Sequence, residues 1–440
     1  MHSSSEMHVL VIDSPEKLRA ESARWDDLWR RSAATSPLGR AEPVAQWLEQ
    51  FAPTHETTVL ALCRGQTMLA GLPLVASRLG GVLPEAALTG NEWSPCGELL
   101  VDAAADEGVY DALIAACAQL SAAWLWCGAV AIDQPQWRGW SAACRRAAAE
   151  PLIQTRYEVG RTAIGNDFEA FLRGLSRSHR QTMTKAVRRL RESGELTFRR
   201  ETAAAVEAVE PLLFAGFEIE DRSWKGRAGT SVLRTPGMFG FFVRQGEELA
   251  RRQCLDLSFV ELDGRPIAFL YGYRGKGVLF AHKIGYDPEF AQYSPGQVLF
   301  YLLFEQLHTE QAATIAHCSD SFVAEANRGT APDGTAANVS DMPLAESGAA
   351  SSTAAAAIAA ACLVEEPTPE AASANDRLVR VLDFSGPLTE ATSRWRPEAY
   401  PLGKIVVAPR RLVGKAALYA YRRWWPRLSA LRRRMTGNRD

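Results

Sequence analysis

The sequence predicts an α/β protein with a mixed sheet, made of two similar units in tandem, the second interrupted by a disordered insertion. Three observations carry that expectation. From Leu255 to Leu307 the chain alternates apolar and polar residues through Leu257, Phe259 and Leu262, then Ile267, Phe269, Tyr271 and Tyr273, then Val278, Phe280, His282 and Ile284. Asp263-Gly264 and Gly275-Lys276-Gly277 separate the three runs, and alternation punctuated by such turns specifies a three-stranded meander. The meander runs through Tyr293-Ser294-Pro295-Gly296 into the apolar helical segment Val298 to Leu307. Second, the order strand, helices, antiparallel strands, helix, strand occurs once in each half. Third, 311–375 is dominated by Ala, Ser, Thr, Glu and Pro and holds one aromatic residue, one Arg and no Lys, too little apolar surface to offset ordering entropy.

Length and composition bound the rest. The 440 residues suggest two or three domains, and 47% hydrophobic with 23% charged residues is the balance of a globular protein. A net charge of -2 gives no overall preference for nucleic acid. The 8 cysteines form no C-x-x-C pair and no metal-ligand spacing, which reads as reduced, structural thiols in a cytoplasmic protein without a metal. Met1 to Glu6 lacks the basic and apolar regions of a secretory signal, and no apolar run reaches the ~20 residues that span a bilayer.

Taken in order, His8 to Ile12 reads as a strand and Asp13-Ser14-Pro15 as a helix start. Pro43 to Phe51 is helical, and Thr58 to Cys63 with Met68 to Ala76 is a hairpin turned at Arg64-Gly65. Asp106 to Ala122 is a helix and Ala123 to Ile132 a strand. Between the halves, Asn166 to Gly174 and Ser178 to Ser193 are helices. On the second, Met183, Val187 and Leu190 form an apolar stripe, while Arg177, Arg180, Arg188 and Arg191 gather within roughly 80° of one another, a face suited to phosphate or carboxylate as well as to plain solvation. Glu207 to Glu220 and Gly237 to Arg252 are helices flanking the glycine-rich stretch Asp221 to Thr230. After the insertion, Leu378 to Phe384 and Lys404 to Ala408 are strands. The tail from Lys404 to Arg434 carries ten Lys/Arg and no acid, interleaved with Tyr and Trp, the pattern of an amphipathic helix that docks on anionic membrane or packs on its own domain. The expected units are 1–160, then 161–310 with 376–409, the insertion 311–375, and a basic helix over 410–440.

Ser178-His179-Arg180 with its arginine-rich helix, Ser223-Trp224-Lys225-Gly226 with Gly229-Thr230, Gly285-Tyr286-Asp287-Pro288-Glu289-Phe290 and Tyr293-Ser294-Pro295-Gly296 occur in the order of the BioF-like acetyltransferase domain. The chain resembles that domain over about Phe168 to Leu307 and again from Asp383. The domain belongs to the GNAT superfamily and is common in CelD-type cellulose or exopolysaccharide biosynthesis proteins. The resemblance implies tandem GNAT-like units, as in the FemABX peptidyltransferases, and transfer of an acyl group from acyl-CoA (acetyl-CoA) to an amine on a sugar or a polysaccharide or cell-envelope precursor. In acyl-CoA users of the superfamily, backbone amides of a Gln/Arg-x-x-Gly-x-Gly/Ala loop hold the pyrophosphate. Here the stretch reads Gln292-Tyr293-Ser294-Pro295-Gly296-Gln297, with a proline and a single glycine. The alternatives are an aminoacyl-tRNA-dependent transferase, the one route by which nucleic acid would be a partner, and a non-catalytic GNAT scaffold.

An activated carbonyl needs an amine held at attack distance, a proton acceptor and an oxyanion partner. His282 and Asp287 at the exit of the third meander strand are the base candidates, with Tyr286 or Tyr293 as acid for the leaving group. His282 also shares a face with Val278, Phe280 and Ile284, the pattern of a core histidine. Arg180, Arg188, Trp224, Lys225, Tyr293, Ser294 and Gly296 are expected to bind donor or substrate. Ser294 is placed as helix N-cap with Pro295 at the first helical position.

Overall fold

The computed structural model describes residues 6–79, 83–328 and 378–409, together with 414–416, 418, 419, 421 and 423; for 318–328 it describes the backbone alone. The first unit runs β1 Met7–Ile12, α1 Pro15–Ala20, α2 Ser22–Arg31, α3 Ala41–Phe51, β2 Thr57–Arg64, β3 Thr67–Leu79, β4 Leu83–Leu88, β5 Leu100–Val101, α4 Glu107–Cys117, β6 Trp124–Ala131, α5 Pro135–Arg146 and β7 Leu152–Ala163. Helices α6 Phe168–Gly174 and α7 Arg177–Ser193 connect the units. The second unit repeats the order with β8 Leu196–Glu201, α8 Val206–Arg222, α9 Trp224–Arg227, α10 Met238–Arg251, β9 Leu255–Leu262, β10 Arg265–Gly275, β11 Val278–Tyr286, α11 Pro295–Arg328, β12 Val381–Pro387, α12 Glu390–Ser393 and β13 Glu398–Val407.

The meander closes as its turns dictate. Asp263-Gly264 and Lys276-Gly277 all take positive φ, the conformation that matches a two-residue turn to the twist of its strands. Helix α7 buries Met183, Ala186, Val187 and Leu190, the i, i+3, i+4, i+7 stripe of a helix lying on a sheet. Helix α8 lies so close to β10 that a Cβ at Gly216 would stand 2.4 Å from the Phe269 ring, so glycine is required there by packing.

All strands among the described residues join one 13-stranded sheet in the order β1-β2-β3-β4-β6-β13-β7-β12-β11-β10-β9-β8, with β5 beside β3. Two neighbouring pairs are parallel, β4 with β6 and β11 with β12, at equivalent places in the two units. The last strands are exchanged. Strand β7 ends the first unit in sequence but lies between β13 and β12, and β13 ends the second unit but lies between β6 and β7. The units are therefore woven together rather than linked. One face of the sheet carries α1–α3 and α8–α10, and a single core there joins Trp25, Val44 and Trp47 to Phe217, Phe242, Phe259 and Tyr271. On the other face α7 and α11 cover the second unit, and α4 and α5 the first.

Several expectations need correction. Strands β4, β7 and β8 and helix α5 lie where no element was expected. The chain is helical through Arg328, so 311–328 extends α11 rather than opening the insertion, because the helix carries on past its packed portion into exposed residues at 313–317. Residues 329–375 of the expected insertion lie outside the described residues, as does most of 410–440. What the fold does establish is topology: the chain leaves after α11 and returns to add β12 to the same unit. No helix among the described residues is long and apolar enough to cross a membrane, and no group of three or more His, Cys, Asp or Glu is placed there to hold a metal.

Candidate active site

The meander's third strand carries an irregularity. Tyr271 pairs with Lys283 and Gly272 with Ala281, so His282 is an extra residue on β11. Such a bulge disrupts the ladder locally and re-aims side chains. Both His282 and Lys283 meet the same two partners as a result: His282 Nε2 lies 2.9 Å from the Trp93 carbonyl, Lys283 Nζ lies 4.5 Å from the Trp93 ring, and Phe242 contacts both. Bonding to a carbonyl requires the proton on Nε2, which leaves Nδ1 with its lone pair. Burial, with the Lys283 charge added, pushes the imidazole pKa down to about 3, so His282 is neutral at any physiological pH. Burial likewise lowers Lys283, to about 8. It has cation–π contacts but no carboxylate within ion-pair distance among the described residues.

Just before the bulge the parallel pairing of β11 with β12 ends, at Phe280 opposite Asp383. Beyond that point β11 runs on to Tyr286 without β12 beside it, and the opening faces a cavity of about 260 Å³ at the seam between the units. Exchanged strands β7 and β13 form its floor, and the first unit's loop 91–98 forms one wall. Fully buried Asp383 accepts hydrogen bonds from Arg161 Nε at 2.8 Å, Tyr400 Oη at 2.8 Å and the Ser385 amide at 2.7 Å. The Arg161 guanidinium also sits 4.1 Å over the Tyr400 ring. Burial, reinforced by the Asp383 charge, raises the Tyr400 hydroxyl well above its ordinary range. Across the cavity Glu98 is held differently. Its Oε1 accepts from the Trp137 indole at 2.9 Å, the Leu99 amide at 3.1 Å and Gln136 Nε2 at 3.4 Å, all neutral donors, and burial raises its pKa.

The expected site residues divide. His282 lines the seam cavity. Asp287 lies past the strand's end, where its carboxylate accepts from Arg222 Nε at 2.9 Å, Arg265 Nη2 at 2.8 Å and the Glu289 amide at 3.1 Å. Burial would raise Asp287, but those bonds outweigh it and hold the group below the ordinary carboxylate value, so it is an ion-pair hub rather than a proton acceptor. Arg180 caps α6 through bonds to the carbonyls of Leu172, Arg173 and Leu175. Lys225 pairs with buried Glu220 at 2.7 Å. Both are committed to structure. Arg188 is exposed and pairs loosely with Glu192 at 3.5 Å, on the rim of an open cleft that also includes Arg173, Arg177 and Lys185. Trp224 stands 63% exposed.

At the start of α11, Ser294 departs from the expected cap. Its φ of 53° is left-handed, and its hydroxyl makes no hydrogen bond among the described residues; its carbonyl instead receives the Gln297 and Val298 amides. With Pro295 lacking an N–H, Gly296 supplies the free amide of this turn. A Cβ at Gly296 would meet only Tyr286 and Ile284 side-chain atoms, at 3.6 and 3.7 Å, which is ordinary contact. The fold itself therefore does not require glycine here. Arg189 lies 5.0 Å over the Tyr293 ring beside this turn. A donor phosphate would have the Gly296 amide and Arg189 to bind.

Lys283, Glu98, Arg161 and Tyr400 went unread in the sequence. A lysine beside His282 in an otherwise apolar strand was the one available signal; the others stand in ordinary alternating or turn contexts.

Residues 177–317 match the family model described as an acetyltransferase (GNAT) domain. The second unit is thus of the GNAT acetyltransferase type, and the chain is a tandem arrangement of GNAT-like units. No curated protein matches the chain. Among solved structures it is similar to FemX, at 10% identity over 91% of this chain and 96% of that one, TM-score 0.49. It is also similar to L-PGS from Bacillus licheniformis, at 13% identity over 93% and 96%, TM-score 0.45, and to a tandem GNAT protein from the clavulanic acid biosynthesis pathway, at 9% identity over 92% and 99%, TM-score 0.41.

Proposed function

We propose that the chain is an N-acyltransferase, with acyl-CoA bound where β11 parts from β12 and an amine acceptor reaching the acyl carbonyl through the seam cavity. The acceptor class is the sugar or polysaccharide or cell-envelope precursor that the BioF-like resemblance implies. The observation that carries this reading is the coincidence of the β11 bulge, the end of the parallel β11–β12 pairing and the cavity, all at residues 280–283. The unpaired backbone of a bulge offers an N–H to a carbonyl oxygen as negative charge develops on it. The amine attacks that carbonyl, the thiolate of CoA leaves, and the amine's proton passes to Lys283, whose lowered pKa suits a base near neutral pH. Neutral His282 accepts or relays a hydrogen bond through Nδ1 without holding charge.

Donor binding is tested at Gly296. Since a Cβ there meets no more than ordinary contact, Gly296→Val should fold, and loss of acetyl-CoA affinity by calorimetric titration places the donor at this turn. Wild-type affinity in the folded variant would remove the donor from α11. A second reading, an aminoacyl-tRNA donor, is favoured by one observation: the free amide at α11 is single, while the cleft between α6, α7 and Tyr301 is open and lined by Arg173, Arg177, Lys185 and Arg188. Donor affinity falling steeply with salt, in the manner of several phosphate contacts, would select it.

A further inference from the structure

The first unit contributes two side-chain oxygen atoms to the seam that have no hydrogen-bond partner among the described residues. Glu98 Oε1 receives the hydrogen bonds from Trp137, Leu99 and Gln136, whereas Oε2 has no partner among the described residues. Gln136 is 5% exposed, and its Oε1 is a buried acceptor without a donor. Its Nε2 is already turned to Glu98, which fixes the orientation of the amide and aims the orphan oxygen elsewhere. Both residues line the same cavity.

The charges around them do not balance. Arg161, a half-buried cation lining the cavity, is taken by Asp383. Arg156, at the mouth, pairs with Glu92 at 3.0 Å. Glu98 accepts hydrogen bonds from neutral donors only and has no ion-pair partner among the described residues, so the half-buried carboxylate feels Arg161 through space alone. An unpaired buried acceptor costs as much as a lost hydrogen bond, and a carboxylate largely withdrawn from water with only neutral donors is stabilised by a cation placed against it. Two such groups side by side in one cavity are explained if the missing partner is a ligand that brings both positive charge and several N–H donors. A primary ammonium has that chemistry: three donors and one charge.

We propose that Glu98 Oε2 and Gln136 Oε1 form the subsite that binds the amino group of the acceptor, and that the acceptor is a small primary amine. This rests on the acyl-transfer reading and deepens it by giving the first unit a substrate-binding part. At about 260 Å³ the cavity lies below the usual ~300–1,000 Å³ of small-molecule sites, which suits a body of monosaccharide or amino-acid size and not a polymer. Bound ammonium also favours the ionised form of Glu98, which burial disfavours in the free protein. The amine enters as ammonium at the first unit and gives up a proton on the second, so neither unit suffices alone.

The test measures binding to the full chain by calorimetry and saturation-transfer NMR, with D-glucosamine against D-glucose and L-alanine against L-lactate. One of the amines should bind about tenfold to a hundredfold more tightly than its hydroxyl counterpart, as expected for hydrogen bonds to a charged group. Which pair shows the difference tells amino sugar from amino acid. Glu98→Gln is isosteric and retains the Oε1 bonds, so it should fold; it should abolish the amine preference and leave acetyl-CoA affinity unchanged. Gln136→Leu should weaken amine binding in the same direction. Equal binding of amine and hydroxyl partners, no binding of either amine, or full preference in Glu98→Gln overturns the subsite. Those results with acetyl-CoA binding intact leave the transferase reading standing, whereas amine binding lost with Glu98 but no thiol release on adding acetyl-CoA overturns the transferase reading and keeps the subsite.

Discussion

Lys283 shows how one residue's chemistry is set by neighbours distant in sequence. Trp93 from the first unit and Phe242 from α10 enclose its ammonium in rings, and no carboxylate among the described residues lies within ion-pair distance of it. Its pKa of about 8 lies below the ordinary 10.5. If the neutral amine is the base, kcat/KM rises with pH and levels near pH 8. Lys283→Met should lose that limb and about 10²–10⁴ in rate, measured by thiol release; a profile unchanged in shape would clear Lys283 of the role. The same shift has a stability consequence. Between about pH 8 and 10.5 the unfolded chain holds a proton that the folded one does not, so stability should rise with pH across that window and fall as pH drops through it. The Met variant should flatten this slope in thermal melts. Ser294 makes the opposite point about reading caps from sequence. Serine before proline at a helix start predicts a side-chain cap worth about 0.5–2 kcal/mol, but the left-handed backbone leaves the hydroxyl unused. Ser294→Ala should therefore leave the fold near its wild-type stability, and Ser294→Gly should stabilise it by about 1 kcal/mol, since glycine carries no Cβ penalty at that φ. A Gly variant melting below wild type would show that the serine has a partner after all.

At the scale of elements, α11 and the segment after it separate packing from mere helicity. Through Leu303, Phe304 and Leu307 the helix lies on the sheet, and Glu310 still reaches buried Arg200. Residues 313–317 are exposed. The buried face of the helix thus gives way to exposed residues by 313. Replacing 318–375 by a Gly/Ser linker of about ten residues, long enough to cross four strands at ~4.8 Å each, should leave the melting temperature within about 4 °C of wild type. A larger fall would mean that the removed stretch packs on the fold. The meander and α7 were legible from sequence because their evidence lies within a dozen residues: alternation, turn dipeptides, a stripe at helical spacing. Strands β7 and β8 were not. The inner strands are recognised by apolar alternation, but β7 reads Leu152-Ile153-Gln154-Thr155-Arg156-Tyr157 and β8 carries Arg199 and Arg200, with charge and polarity that fit a seam floor and a sheet edge.

For the molecule as a whole, the exchange of β7 and β13 governs what can exist separately. A fragment beginning after β7 leaves β12 and β13 without the strand between them, and one ending at β7 leaves β6 unpaired on that side. Neither 164–409 nor 6–163 should unfold cooperatively by circular dichroism, whereas the full chain should; a sharp melt from either fragment would show that the weave is dispensable. The sequence by itself determined the class of sheet, the repeated order of elements, the meander and the GNAT-type junction, since each depends on residue periods and turn chemistry acting over short distances. Only the tertiary structure decided the site. Glu98, Arg161, His282, Asp383 and Tyr400 come from both ends of the chain and line one cavity because two strands cross to the opposite unit, and long-range pairing of that kind leaves no local period to read. It also decided which ionisable groups remain available, because burial and partnership, invisible in a string of letters, commit Asp287, Arg180 and Lys225 to structure while Glu98 and Lys283 have no ion-pair partner among the described residues.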